Sequence, residues 1–126
     1  IEVPDDLPAV QARPQRLLIE LSGAGRPPAI RGVLREKGIA DAIAPRASLC
    51  VLDPRQFADP ALGARDDYLE QMVCADILVI NKNDVADAAQ LAALRQAAAR
   101  LAGRMTVVTA HGQVSATLLD APARDA

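Results

Sequence analysis

Four short runs of apolar residues punctuate the chain, at Leu17-Leu18-Ile19, Leu49-Cys50-Val51-Leu52, Ile77-Leu78-Val79-Ile80 and Met105-Thr106-Val107-Val108. They are continuous or nearly so instead of alternating, which is the pattern of strands covered on both faces. Between them the apolar spacing lengthens to that of a helix. Pro27 and Pro28 suit the first turn of a helix that carries Ile30, Val33 and Leu34 on one face and stops at Gly38. Leu69, Met72 and Val73 repeat the i, i+3, i+4 pattern. Asp87 is placed to cap a helix with Leu91, Leu94, Ala98 and Leu101 in one stripe, Gln90 at the reciprocal capping position and Gly103 just past the end. Strand and helix therefore alternate. That order predicts right-handed crossovers and a three-layer α/β fold, a mostly parallel sheet with flanking helices, in which ligands bind at the carboxyl ends of the strands.

Each strand end carries polar residues. The third is the most specific: the buried-strand pattern of Ile77 to Ile80 runs directly into Asn81-Lys82-Asn83-Asp84. An Asp carboxylate at such a position can accept two hydrogen bonds from the N1–H and exocyclic amino group of guanine, a bidentate contact that adenine cannot return. Lys82 can lay its aliphatic stem along a purine face while its ammonium stays hydrated, and Asn81 can either brace the loop or reach the Hoogsteen edge of the base. The same residue types also suit a plain polar turn; their place immediately after an apolar run favours the nucleotide reading. After the first run stands Glu20-Leu21-Ser22-Gly23. Here Glu20 can hold Mg²⁺ through water and the N–H of Gly23 can approach a terminal phosphate, although a glycine-rich turn entering a helix is the simpler account of this segment alone. Asp53-Pro54 after the second run reads chiefly as a cap for the next turn. The fourth end, Thr109-Ala110-His111-Gly112, is a small-residue loop whose amides can meet the guanine O6; His111 in it reads as a solvated or hydrogen-bonded loop residue.

Composition narrows the class without changing the pattern. The 126 residues suffice for one domain with a hydrophobic core. Apolar residues make up 51% and aromatics only 2%, so that core must be built from Leu, Ile, Val and Ala. A net charge of −2 with no basic cluster argues against a nucleic-acid surface. The apolar runs are far too short to cross a bilayer and no secretory leader pattern is present, so a soluble cytoplasmic protein is expected, with neither nucleic acid nor membrane as partner. Cys50 and Cys74 sit in apolar surroundings without CxxC spacing and read as buried thiols.

Taken together, the segments resemble a known family. Leu18 through Pro27 looks like E-x-[ST]-G-x-[AG]-x-P, Val51-Leu52-Asp53-Pro54 like V-[VL]-D-x, and Gln71 through Asp84 like Q-x-x-x-A-D-(strand)-N-K-x-D. This resembles the pattern of the CobW-like P-loop GTPases, which belong to a wider group that also holds the urease and hydrogenase nickel-insertion accessory proteins, over roughly residues 14 to 110. The resemblance implies a metallochaperone in which GTP hydrolysis gates metal delivery to a client protein. It also implies GTP and Mg²⁺ as cofactors, with Glu20 on the Mg²⁺ side and Ser22 and Gly23 in the phosphate-sensing switch. Asn81, Lys82 and Asp84 would form the guanine clamp, and Ala110 would lie in the loop that closes over the base. A transition metal such as Zn, Co or Ni is implied only through residues outside this chain.

Departures from the pattern carry their own expectations. No Gly-Lys pair is present, so the phosphate-cradling Gly-x-x-x-x-Gly-Lys-[Ser/Thr] loop is missing, as is the Cys-x-Cys-Cys metal-binding segment. Arg26 stands where many relatives have Asp or His. The chain is therefore expected to be a partial domain, with residues 1–13 as a lead-in helix and 114–126 as a tail, binding GTP alone no better than about millimolar and hydrolysing none. Its uncovered sheet is expected to favour self-association. The alternative is a non-catalytic α/β interaction domain that keeps the scaffold of a G domain.

Overall fold

The computed structural model describes residues 14–22, 25–63, 65–101 and 104–124. Three parallel strands, β1 (Leu49–Leu52), β2 (Ile77–Ile80) and β3 (Met105–Val108), form one sheet in the order β1-β2-β3. Their register aligns Leu49 with Ile77 and Ile77 with Met105. Helices α1 (Pro27–Leu34), α2 (Pro54–Ala58), α3 (Pro60–Gly63), α4 (Asp66–Cys74) and α5 (Ala88–Ala99) flank it, giving the expected α/β architecture. Every residue of β2 is buried. A central strand has no solvated face, which is why Ile77-Leu78-Val79-Ile80 admits no polar residue. The core gathers Leu52, Leu78 and Ile80 from the sheet with Met72 and Ala75 at α4 and Leu94 and Ala98 of α5.

Two sequence expectations are corrected. Leu17-Leu18-Ile19 is outside any strand, and Leu17 and Leu18 are 64% and 68% exposed. Burial and neighbouring strands, more than intrinsic propensity, turn such a run into a strand. Among the described residues that cover is missing, and on β1, an edge strand of the sheet, Val51 is likewise 65% exposed. The second correction concerns the stripe Leu69, Met72 and Val73, of which only Met72 is buried. Tyr68 and Met72, four residues apart, turn to the core instead, because the Tyr68 ring covers more apolar area than Leu69 and packs near Phe57. Leu69 and Val73 then line an open groove of about 520 Å³ with Arg26, Asp66, Asp67 and Glu70. The Tyr68 hydroxyl is buried without a partner among the described residues, and burial pushes its pKa up to about 12.

Local signals fared better. Asp87 Oδ1 accepts the Gln90 N–H at 2.7 Å and Gln90 Oε1 accepts the Asp87 N–H at 3.1 Å, a complete capping box for α5. Replacing Asp87 with Ala is expected to cost about 1 kcal/mol, measured as a lower urea midpoint; an unchanged midpoint would show that the box adds nothing to stability. α1 begins at Pro27 and ends at Leu34, and Gly38, beyond that end, takes the left-handed φ of 95°. Both cysteines are free and partly buried, with burial raising the Cys50 thiol to about 11.

The amino-terminal end of the sheet is closed by one carboxylate. Asp76, 6% exposed, accepts the Ser48 N–H at 2.8 Å and the Ser48 hydroxyl at 3.1 Å through Oδ2, and the Arg124 N–H at 3.2 Å through Oδ1. The Arg31 guanidinium stands 3.8 Å away and donates to Ser48 Oγ and to the Cys74 carbonyl. Part of the segment expected as a tail returns here: a 3₁₀ turn at Ala116–Asp120 is followed by an antiparallel bridge between Arg46 and Pro122. The expected lead-in helix over residues 1–13, and Gly23 and Gly103, lie outside the described residues. No described helix is long and apolar enough to cross a membrane.

Candidate functional site

The carboxyl ends of the three strands are tied to one another by backbone hydrogen bonds. Asn81 N–H donates to the Leu52 carbonyl at 2.8 Å and Thr109 N–H to the Ile80 carbonyl at 2.8 Å, so the ladder runs one step past each strand. Beyond it the chain leaving β2 must turn sharply. Lys82 adopts φ 59° and its carbonyl accepts the N–H groups of Val85 and Ala86, which presents Asn83 and Asp84 on the outside of a tight turn. The loop after β3 does the same at His111, with φ 55°, and Gly112, with φ 64°. Among the described residues, the non-glycine positions with left-handed backbone are Lys82 and His111, both at this corner. Each costs on the order of 1 kcal/mol and persists only where surrounding bonds over-determine it.

Those bonds are visible. Asn81 Oδ1 accepts the Gly112 N–H at 2.9 Å, and the Asn83 N–H donates to the Thr109 carbonyl at 3.2 Å. A backbone donor opposite Asn81 requires its oxygen there, which fixes the amide orientation. Thr109, 9% exposed, turns its hydroxyl onto the Gln113 carbonyl at 2.7 Å and closes the β3 loop from within. Bracing of the loop, one of the two uses open to Asn81, is present in its bond with Gly112. Because the Gly112 N–H is engaged, the loop donors left without a partner among the described residues are those of Ala110 and His111.

Charge alternates around the corner. Asp84 is 39% exposed at its side chain, with Oδ2 3.5 Å from His111 Nε2. Asp53, at the end of β1, caps α2 through the Arg55 N–H at 2.9 Å and binds the Arg55 guanidinium through Nε and a terminal nitrogen at 3.1 and 2.8 Å. That hydrogen bond first, helped by the charges of Arg55 and Lys82, holds the Asp53 carboxyl below the usual carboxylate range. Asp53 is thus committed to capping. Asp84 keeps an accessible carboxylate, and Lys82 is exposed beside it. A planar base with two adjacent donors can meet that carboxylate, with the Lys82 stem available to cover one face.

Glu20 and Ser22 of the first motif share no hydrogen bond or ion pair with this corner among the described residues. Both are exposed, their side chains make no hydrogen bond or ion pair among the described residues, and the Ser22 carbonyl accepts the Gly25 N–H at 2.8 Å. Nor do the described residues bring together three His, Cys, Asp or Glu side chains that could hold a metal. Glu20 alone is too small a donor set to define a Mg²⁺ site. Sequence reasoning missed the roles of Gly112 as the partner of Asn81, of His111 as the neighbour of Asp84, and of Arg55. Only the His-Gly pair after an apolar run hinted at a left-handed turn.

A family model described as CobW/HypB/UreG, nucleotide-binding domain, matches residues 4–109. The zinc chaperone YeiR of Escherichia coli (strain K12) is 36% identical over 116 residues, which cover 91% of this chain and 35% of that protein. The chain therefore spans about a third of the length of this curated relative. No solved structure gives a significant match.

Proposed function

This chain belongs to the CobW/HypB/UreG nucleotide-binding domain family, and from that premise we propose that it forms the guanine-selecting half of the nucleotide site in a GTP-binding metal chaperone. The observation that carries the reading is the Asp84 carboxylate, accessible on a left-handed turn that leaves the buried central strand and is tied through Asn81 to the loop after β3. Asp84 accepts from the guanine N1–H and amino group, Lys82 covers a purine face, Asn81 holds the two loops at a fixed spacing, and the Ala110 N–H is available to O6. Glu20, Ser22 and Gly23 belong to the phosphate side, which requires a Gly-Lys loop that this sequence does not contain. GTP with Mg²⁺ is the expected ligand of the parent protein, hydrolysis there gates transfer of a metal to a client, and the zinc chaperone relative favours zinc as cargo. Residues 1–126 are then part of one GTPase domain.

The reading is tested by competition in the full-length parent. GTP is expected to displace a bound fluorescent guanine nucleotide at concentrations where ATP does not, and equal displacement by the two would sink it. A second reading, an interaction domain on a G-domain scaffold, draws support from the exposed apolar residues Leu17, Leu18 and Val51. It predicts no nucleotide preference at all, so the same competition separates the two.

A further inference from the structure

The single histidine of the chain stands against the carboxylate that the guanine reading relies on. His111 Nε2 lies 3.5 Å from Asp84 Oδ2. The backbone that carries the imidazole is held on both sides: Gly112 donates to Asn81 Oδ1 at 2.9 Å, and the buried Thr109 locks its hydroxyl onto the Gln113 carbonyl at 2.7 Å. The backbone position from which His111 reaches Asp84 is therefore set by the same loop closure that shapes the corner.

We propose that His111 is a proton-dependent competitor of guanine for Asp84, so that the protonated imidazole holds the carboxylate and the neutral one yields it to the base. The inference rests on the guanine reading of Asp84 and deepens it. Guanine needs both carboxylate oxygens, one for N1–H and one for the amino group, and an imidazolium on Oδ2 takes one acceptor site of that oxygen and part of the negative charge that strengthens both bonds. A neutral imidazole carries no charge to set against that loss.

The other charges at the corner do not substitute for it. Lys82 stands on the turn with Asp84 and Arg55 comes from α2, and neither residue type ordinarily changes charge in the neutral range. Arg55 is moreover engaged twice by Asp53, at 3.1 and 2.8 Å. Asp53, at the end of β1, has its carboxyl held low by that same guanidinium and stays charged. Among the groups facing Asp84, only a histidine ordinarily changes charge between about pH 5 and 8. The sign follows by linkage: guanine binding expels the proton-stabilised contact, so it releases protons and tightens as pH rises through the imidazole range.

The test titrates guanosine 5′-monophosphate into the chain at about pH 8 and about pH 5.5, reading amide chemical shifts at low salt. Exposed ion pairs are weak and screened, so the unsubstituted protein is expected to bind about three-fold less tightly at the lower pH, with the difference shrinking in high salt. His111→Asn removes the imidazole yet tolerates the left-handed backbone, and is expected to lose the excess pH dependence. The variant also subtracts the nucleotide phosphate's own titration, which is common to both proteins. Equal pH responses in the two proteins would overturn the role of His111 and leave the guanine reading standing. A guanine preference over adenosine 5′-monophosphate that survives Asp84→Asn would overturn that reading and the inference with it.

Discussion

Asp84→Asn in the full-length parent is expected to weaken guanine-nucleotide binding by about 100-fold while leaving adenine-nucleotide binding unchanged. The size follows from the hydrogen bonds that the substitution removes. Two bonds to a charged carboxylate become one to a neutral amide oxygen, and the amide's N–H₂ is set against the guanine amino group, donor against donor. The same arithmetic predicts a gain. An amide offers one acceptor and one donor, which matches a purine that carries N1–H beside a carbonyl at C2, so xanthine nucleotides should bind the variant better than guanine nucleotides do. Competition with guanosine, xanthosine and adenosine triphosphates measures all three preferences at once. A general loss of structure lowers every affinity together; only the base-contact role reorders them. An unchanged order with guanine still first would remove Asp84 from the site, and with it the main support for the proposed function.

The parts of this corner differ in how legible they were. β2 could be read because a strand buried on every side must be apolar at consecutive positions, and its own residues meet that requirement. The capping box at Asp87 and Gln90 was legible for a similar reason, since both partners lie within one turn of helix. Leu17-Leu18-Ile19 misled because a strand is a property of its neighbours, and here the neighbouring cover is absent among the described residues. On α4 the spacing of Leu69, Met72 and Val73 was helical as expected. The face was wrong because Tyr68 competes for the same core position, and periodicity does not rank two adjacent apolar side chains. At the candidate site, the Asn81-Lys82-Asn83-Asp84 spacing pointed to the turn. The bond from Gly112 to Asn81 spans 31 residues of sequence and leaves no periodic trace. The contact of His111 with Asp84 is hidden for the same reason, since it depends on how two loops that end different strands are set side by side.

The most destabilising single change expected away from the corner is Asp76→Ala, at the opposite end of β2. One carboxylate there serves the Ser48 N–H and hydroxyl at 2.8 and 3.1 Å and the Arg124 N–H at 3.2 Å, with the Arg31 guanidinium 3.8 Å away. Only 6% of Asp76 is exposed, so water cannot readily replace what it accepts. Removing it strands part-buried donors from two separate parts of the chain, at Ser48 and Arg124, and leaves a partly buried guanidinium facing the space it vacates. Each unsatisfied donor costs on the order of 1 kcal/mol or more, and about 3 kcal/mol is expected in total after discounting for the partial exposure of Arg31. Asp76→Asn supplies the control. Its one carbonyl oxygen can still accept the Ser48 N–H, so it should lose about half as much. Chemical denaturation of the two variants beside the unsubstituted protein gives the ranking, and equal losses would assign the effect to charge rather than to the hydrogen bonds. Because β2 also carries Asp84 at its far end, a protein weakened by Asp76→Asn but still folded should keep its preference for guanine over adenine. A change in that preference would mean that the two ends of the strand are coupled, contrary to a rigid β2 buried on every side.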